Sequence, residues 1–177
     1  MPAIDPERSV LLLVDLQSRL MPAIEDGAAV IANARRLIDA AELFRIPILF
    51  TEQNANGLGG TLPELHTKTA AIAHKMTFDA CRAPDFTEAL GDRTDIVVAG
   101  CEAHVCVLQT ILGLLKAGRR IFAVRDAVGS RRSESKEAAL RRMERNDAEI
   151  VTTEMVLFEW LRTADGQRLH NILTLVK

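Results

Sequence analysis

The hydrophobic positions of this chain fall into short continuous runs, separated by longer segments in which apolar residues recur at helical spacing. The runs "SVLLLVD" (9–15), "PILFTE" (47–52), "DIVVAG" (95–100), "RRIFAVRD" (119–126) and "AEIVTT" (148–153) predict strands, as does a shorter one, "AIAHK" (71–75). Between them the spacing predicts helices at about 28–45, 84–91, 103–117 and 133–146, with another at the C-terminus. Strands that are apolar throughout, rather than at alternate positions, belong to a parallel sheet covered on both faces. The expected fold class is therefore α/β, a three-layer αβα, Rossmann-like arrangement around a mostly parallel six-stranded sheet. One irregular stretch, "EQNANGLGGTLPELHTKT", is too polar for the core. It is a candidate lid or active-site loop, with a mobile surface loop as the equal alternative.

A length of 177 residues fits a single domain spanning 1–177, large enough to bury a core without disulfides. Net charge is −2, and basic and acidic residues are mixed throughout, so nucleic acid is not an expected partner. The one basic cluster, "RRSESKEAALRRMER", carries Glu134, Glu137 and Glu144 among its arginines and fits a solvated helix face. Three cysteines, Cys81, Cys101 and Cys106, suit reduced thiols and a cytoplasmic location. The run "VLLLV" is too short for a secretory core, and no apolar stretch reaches membrane-spanning length, so no membrane association is expected.

In open parallel sheets the ligand crevice lies outside the carboxyl ends of the strands. Asp15 ends the first strand, Lys75 ends the third, and Cys106 falls on the first turn of the helix after the fourth. Asp15 follows four aliphatic residues, so its carboxylate is expected in a dehydrated position that demands a partner. A helix start favours a thiolate, and a nearby lysine lowers the thiol further from its usual ~8.5. The same helix-start N–H groups suit an oxyanion. Against these readings stand a helix cap or loop hydrogen bond for Asp15, a solvated Lys75 and a small buried hydrophobe for Cys106. Cys81 and Cys101 fit that last reading. His104, two residues before Cys106, points elsewhere and is a pocket-lining or structural residue. His66, His74 and His170 lack ligand spacing, so neither a metal nor a cofactor is expected.

With these residues in place, the chain resembles the isochorismatase-like cysteine hydrolase superfamily, which includes nicotinamidases and N-carbamoylsarcosine amidohydrolases. The resemblance runs through "LLLVDLQSRL", "AHKMTFDAC", "AGCEAHVCVLQT" and "FAVRDAVGSR", and is greatest to the isochorismatase domain-containing subgroup. It implies a triad of Asp15, Lys75 and Cys106. Asp15 takes the thiol proton, Lys75 stabilises the thiolate, and Cys106 attacks a carbonyl to form a thioester-type intermediate. It also implies a cis peptide between Cys101 and Glu102, and an oxyanion hole made by the N–H groups of Glu102 and Cys106.

Departures from the family shape the expected activity. Zinc-binding nicotinamidases place an aspartate and a histidine where this chain has "TEQN", and Leu20 replaces a common aromatic. Isochorismatases that cleave a vinyl ether do not rely on a cysteine. The implied function is a metal-independent hydrolase of a C–N bond in a small amide or carbamoyl compound. Leu20, Met21, Phe78 and His104 are the candidate pocket residues. Arg131 and Arg132 meet a substrate carboxylate or lie on the surface. Two other functions stay open: a non-catalytic binding or oligomerising member, and a redox sensor using Cys106. The resemblance also implies a homo-oligomer, to which the segment "MVLFEWL" offers apolar residues unless they pack on the chain's own sheet.

Overall fold

A computed structural model describes residues 3–176. All six expected strands form: β1 (Ser9–Val14), β2 (Ile48–Gln53), β3 (Ala71–Lys75), β4 (Asp95–Cys101), β5 (Arg120–Gly129) and β6 (Glu149–Val151). They make one parallel sheet in the order β3-β2-β1-β4-β5-β6. The helices are α1 (Gly27–Phe44), α2 (Ala55–Leu58), α3 (Phe86–Leu90), α4 (Leu108–Lys116), α5 (Ser133–Glu144), α6 (Thr153–Leu161) and α7 (Gln167–Leu175).

The continuous apolar runs exist because both faces of the sheet are covered. Leu11 and Leu13 of β1 pack in one core with Val30, Leu37 and Ile38 of α1 and Trp160 of α6. Val10, Leu12 and Val14 pack in the other with Ile111 and Leu114 of α4 and Leu140 and Met143 of α5. Full burial of one such side chain is worth about 1.5–3 kcal/mol, whereas strand propensity spans only about 1 kcal/mol between residue types. Two-sided burial therefore decides that β1 is central.

From β1 the chain winds outward through β2 to β3, and from β4 outward through β5 to β6. The direction of winding reverses between β1 and β4, which opens a crevice at their carboxyl ends. Gly100 lets the two strands approach there. It pairs with Val14 and has φ +122, and a Cβ on it would lie 2.0 Å from the Val14 carbonyl oxygen.

Three local features differ from expectation. The polar stretch after β2 is tied down: it contains α2 and a short 3-10 turn (Pro63–Leu65), and Thr61 bridges antiparallel to Gln17. The helix after β4 begins with a π turn (Ala103–Val107). The segment "MVLFEWL" forms most of α6, with Val156, Leu157, Trp160 and Leu161 buried and Met155 and Phe158 exposed. Among the described residues no helix is long and apolar enough to cross a membrane.

Candidate active site

Where β1 ends, Asp15 turns into the left-handed region at φ 50. Aspartate adopts that conformation more readily than most residues. Its N–H still donates to the Thr51 carbonyl on β2 (3.1 Å), so the turn begins from a fixed strand end. The carboxylate then lies over the face of the sheet that carries α4. Thr51 Oγ1 donates to Oδ1 (2.7 Å) and Lys75 Nζ donates to Oδ2 (2.7 Å). Both charged side chains are 0% exposed. Removing one partner of such a pair typically costs about 3–5 kcal/mol, whereas replacing both with apolar residues is often neutral or stabilising.

Lys75 reaches Asp15 from two strands away. It closes β3 opposite Gln53 of β2, and its ammonium donates a second hydrogen bond to Gln53 Oε1 (2.9 Å). Cys106, in the π turn after β4, completes the group with Sγ 3.9 Å from the same Oε1 and only 6% of the residue exposed. The structure thus brings Asp15, Lys75 and Cys106 together.

The thiol is not depressed as expected. Burial pushes it up, the neighbouring Asp15 carboxylate adds to the rise, and Lys75 only partly offsets them, so it reaches about 12. The turn gives little help, because the N–H groups of Val105 and Val107 on either side both donate to the Glu102 carbonyl. Cys106 therefore rests as a thiol. Burial likewise raises Cys81 and Cys101 to about 12, and all three are free.

The Cys101–Glu102 peptide is cis. The Glu102 side chain points to Arg131, accepting from its backbone N–H (3.0 Å) and its Nε (3.0 Å). Arg131 is thus engaged within the chain, while Arg132 pairs loosely with Glu134 at the surface. His104 Nδ1 lies 3.0 Å from Ser130 Oγ, and with Arg131, Arg132 and Ser135 it lines a cavity of about 440 Å³. A second cavity, of about 460 Å³, is lined by Glu52, His74 and Lys75 together with Asn54, Met76 and Arg82. Neither Cys106 nor the other three candidate pocket residues line it. Met21 lies elsewhere: the chain turns away after Asp15 and carries it into the core on the α1 side, against which Leu20 also packs. Phe78 is half exposed.

Sequence reading missed Thr51, Gln53 and Gln17. The first two stand at the carboxyl end of β2, where the rule that selected Asp15 and Lys75 applies equally. Gln17 is fully buried, and its amide grips the backbone of Gln53: Oε1 accepts from the Gln53 N–H (2.8 Å) and Nε2 donates to the Gln53 carbonyl (3.0 Å). A glutamine two residues after Asp15, just past a buried strand, was the available signal. Among the described residues no three histidine, cysteine or acidic side chains are grouped to hold a metal ion.

The family model described as the isochorismatase domain matches residues 9–155. The chain belongs to the isochorismatase family. Mouse isochorismatase domain-containing protein 2A is 33% identical over 175 residues, covering 97% of this chain and 84% of the relative. The MAR1 ribonuclease of Caenorhabditis elegans superposes with a TM-score of 0.94 at 34% identity, over 99% of this chain and 92% of that one. Two YcaC structures also match. The Pseudomonas aeruginosa protein, solved with covalent acrylamide, has a TM-score of 0.90 at 27% identity (98% and 91% covered). The Escherichia coli protein, an octameric hydrolase of unknown specificity, has 0.91 at 26% (99% and 89%). By family, then, the chain is an isochorismatase-like hydrolase with a six-stranded parallel sheet between helical layers.

Proposed function

We propose that the protein hydrolyses a C–N bond of a small amide or carbamoyl compound through a thioester-type intermediate on Cys106. The observation that carries this reading is the wholly buried Lys75–Asp15 pair beside the Cys106 thiol. A core built for stability alone gains little from such a pair, and a cluster of perturbed titratable groups at strand ends is the usual mark of a working site.

The resting state fits a cysteine activated only as it reacts. Asp15 accepts the Cys106 proton while the sulfur bonds to the substrate carbonyl carbon, and Lys75 balances the negative charge in transit. The N–H groups of Glu102 and Cys106 serve the oxyanion. As the tetrahedral intermediate collapses, the C–N bond breaks and Asp15 returns its proton to the departing nitrogen. Water then attacks the thioester carbonyl and gives a proton to Asp15. The C–S bond breaks, the acid leaves, and the sulfur recovers the proton. Nucleophile, base and counter-charge are all side chains of this chain.

The raised thiol weighs against redox sensing, because oxidants react with the thiolate. Capture of acrylamide by the P. aeruginosa relative is in keeping with a fold that presents a nucleophile. A cytoplasmic homo-oligomer belongs to the same reading. The exposed Met155 and Phe158 on α6 supply apolar surface for it, and the E. coli relative is octameric.

The test is a single-turnover screen of small amides, ureido acids and nicotinamide with intact-protein mass detection, wild type beside Cys106→Ala. An acyl adduct on wild type and none on the variant is expected. Undiminished turnover by Cys106→Ala sinks the proposal, as does the absence of any adduct in a protein whose Cys106 resists iodoacetamide at every pH.

A further inference from the structure

Gln53 stands at the centre of the site without having been singled out by its chemistry. It is the last residue of β2, nearly buried, with all four of its amide groups committed. Its side-chain Nε2 donates to the Met76 carbonyl (2.9 Å), which settles which way the amide faces. The oxygen is thereby turned inward, where it accepts from Lys75 Nζ (2.9 Å) and lies 3.9 Å from Cys106 Sγ. Its backbone N–H and carbonyl are both held by Gln17, whose Nε2 also donates to the Gly59 carbonyl (2.6 Å).

We infer that Gln53 is a positioning residue for the reacting thiol: its Oε1 fixes the Lys75 ammonium between the Asp15 carboxylate and the Cys106 sulfur. This assignment takes Cys106 as the reacting atom, and its catalytic meaning rests on the hydrolase reading. The argument begins with lysine itself. An ammonium on a flexible four-carbon stem has no orientation of its own, and with Asp15 as its sole partner it settles wholly on the carboxylate. A second acceptor on the sulfur side holds it between the two.

The second acceptor also has to be neutral. A carboxylate at position 53 competes with Asp15 for the ammonium and adds a negative charge about 4 Å from the sulfur. The charged groups acting on Cys106 are Asp15, from the end of β1, and Lys75, from the end of β3. On the thiol's own turn, the His104 ring meets Ser130 and the Glu102 carboxylate meets Arg131. Lys75 is thus the one cation among these groups that draws the thiol down, and Gln53 holds it.

The experiment is the rate of Cys106 alkylation by iodoacetamide between pH 6 and 11, followed by peptide mass mapping to separate it from Cys81 and Cys101. Wild type is compared with the isosteric Gln53→Glu and with Gln53→Leu, each checked for folding by thermal denaturation. Gln53→Glu is expected to slow alkylation by about tenfold or more at each pH below the midpoint, the signature of a thiol raised by one pKa unit. Gln53→Leu is expected to displace the same profile, and both variants to lower kcat with little effect on KM. Profiles of both folded variants lying on that of wild type overturn the assignment, whatever the amide screen gives. Alkylation needs no substrate. A displaced profile in a protein that turns over none of the screened amides therefore leaves Gln53 setting the Cys106 thiol and counts against the hydrolase reading alone.

Discussion

Lys75 Nζ lies 2.7 Å from Asp15 Oδ2 with neither side chain reaching solvent, although the two residues come from strands separated by β2. On the proposed hydrolase reading the pair is held for what it does and not for what it adds to stability. A double-mutant cycle checks this. Lys75→Met strands a buried carboxylate and is expected to cost about 3–5 kcal/mol in urea denaturation. Asp15→Leu with Lys75→Met is expected to recover most of that loss while abolishing turnover. A double variant as unstable as the single one would falsify this account.

Gly100 makes the crevice possible by letting β4 touch β1. Gly100→Ala places a methyl group 2.0 Å from the Val14 carbonyl oxygen at a φ of +122. Strand movement is the only relief, since the obstructing atoms are backbone. A loss of roughly 3 kcal/mol or more is expected by denaturant titration, accompanied by slower Cys106 chemistry. A stable, fully reactive Gly100→Ala protein would mean that the two strands separate freely at this point.

The strands were readable in the sequence because two-sided burial writes continuous apolar runs into it. β5 was the exception. It extends to Gly129, beyond the polar Arg125 and Asp126 that suggested its end, because Asp126 is absorbed by the start of α6, where the N–H and hydroxyl of Thr153 donate to its carboxylate. Asp15, Lys75 and Cys106 could be picked out because they end strands and carry chemistry. Thr51 and Gln53 end a strand too, but a neutral hydroxyl and amide gain their meaning only from partners far along the chain. The thiol was misjudged for a related reason: helix position is visible in a sequence, whereas burial beside a particular carboxylate is not.

Three thiols raised by burial point to an alkaline weakness in the fold. Each is raised to about 12 in the folded protein from an ordinary 9.0, so between those values the unfolded chain has lost protons that the folded chain retains. Stability must therefore fall as pH rises through this window, with the full contribution present below about 9. Lys136 acts in the opposite sense, since burial and the nearby Arg125 lower it, but it is one group against three. Urea midpoints measured from pH 8 upward are expected to decline, and to decline less steeply in Cys101→Ala, whose deeply buried thiol is gone. Parallel curves for the two proteins would assign the decline to other groups.

The polar loop after β2 is anchored from beneath by a single carboxylate. Glu52 Oε1 accepts from both the N–H (2.7 Å) and the hydroxyl (2.8 Å) of Thr61, and Oε2 lies 3.3 Å from His74 Nδ1 on the edge strand. Glu52→Ala removes that acceptor and leaves two donors in a buried place, at an expected cost of about 1–3 kcal/mol. The loop keeps its second tether through Gln17, which binds the Gly59 carbonyl from the other side. Glu52 also projects to the opposite face of β2 from Thr51 and Gln53, so the Asp15–Lys75–Cys106 group is not directly disturbed. Hydrogen exchange should therefore quicken across residues 54–62 in Glu52→Ala while the iodoacetamide profile of Cys106 holds. If exchange stays at the wild-type rate, Gln17 and the hydrogen bonds from Ser18 and Arg19 to the Gly60 and Leu58 carbonyls fasten the loop without Glu52. If the thiol profile moves with it, the loop and the reacting group form one mechanical unit.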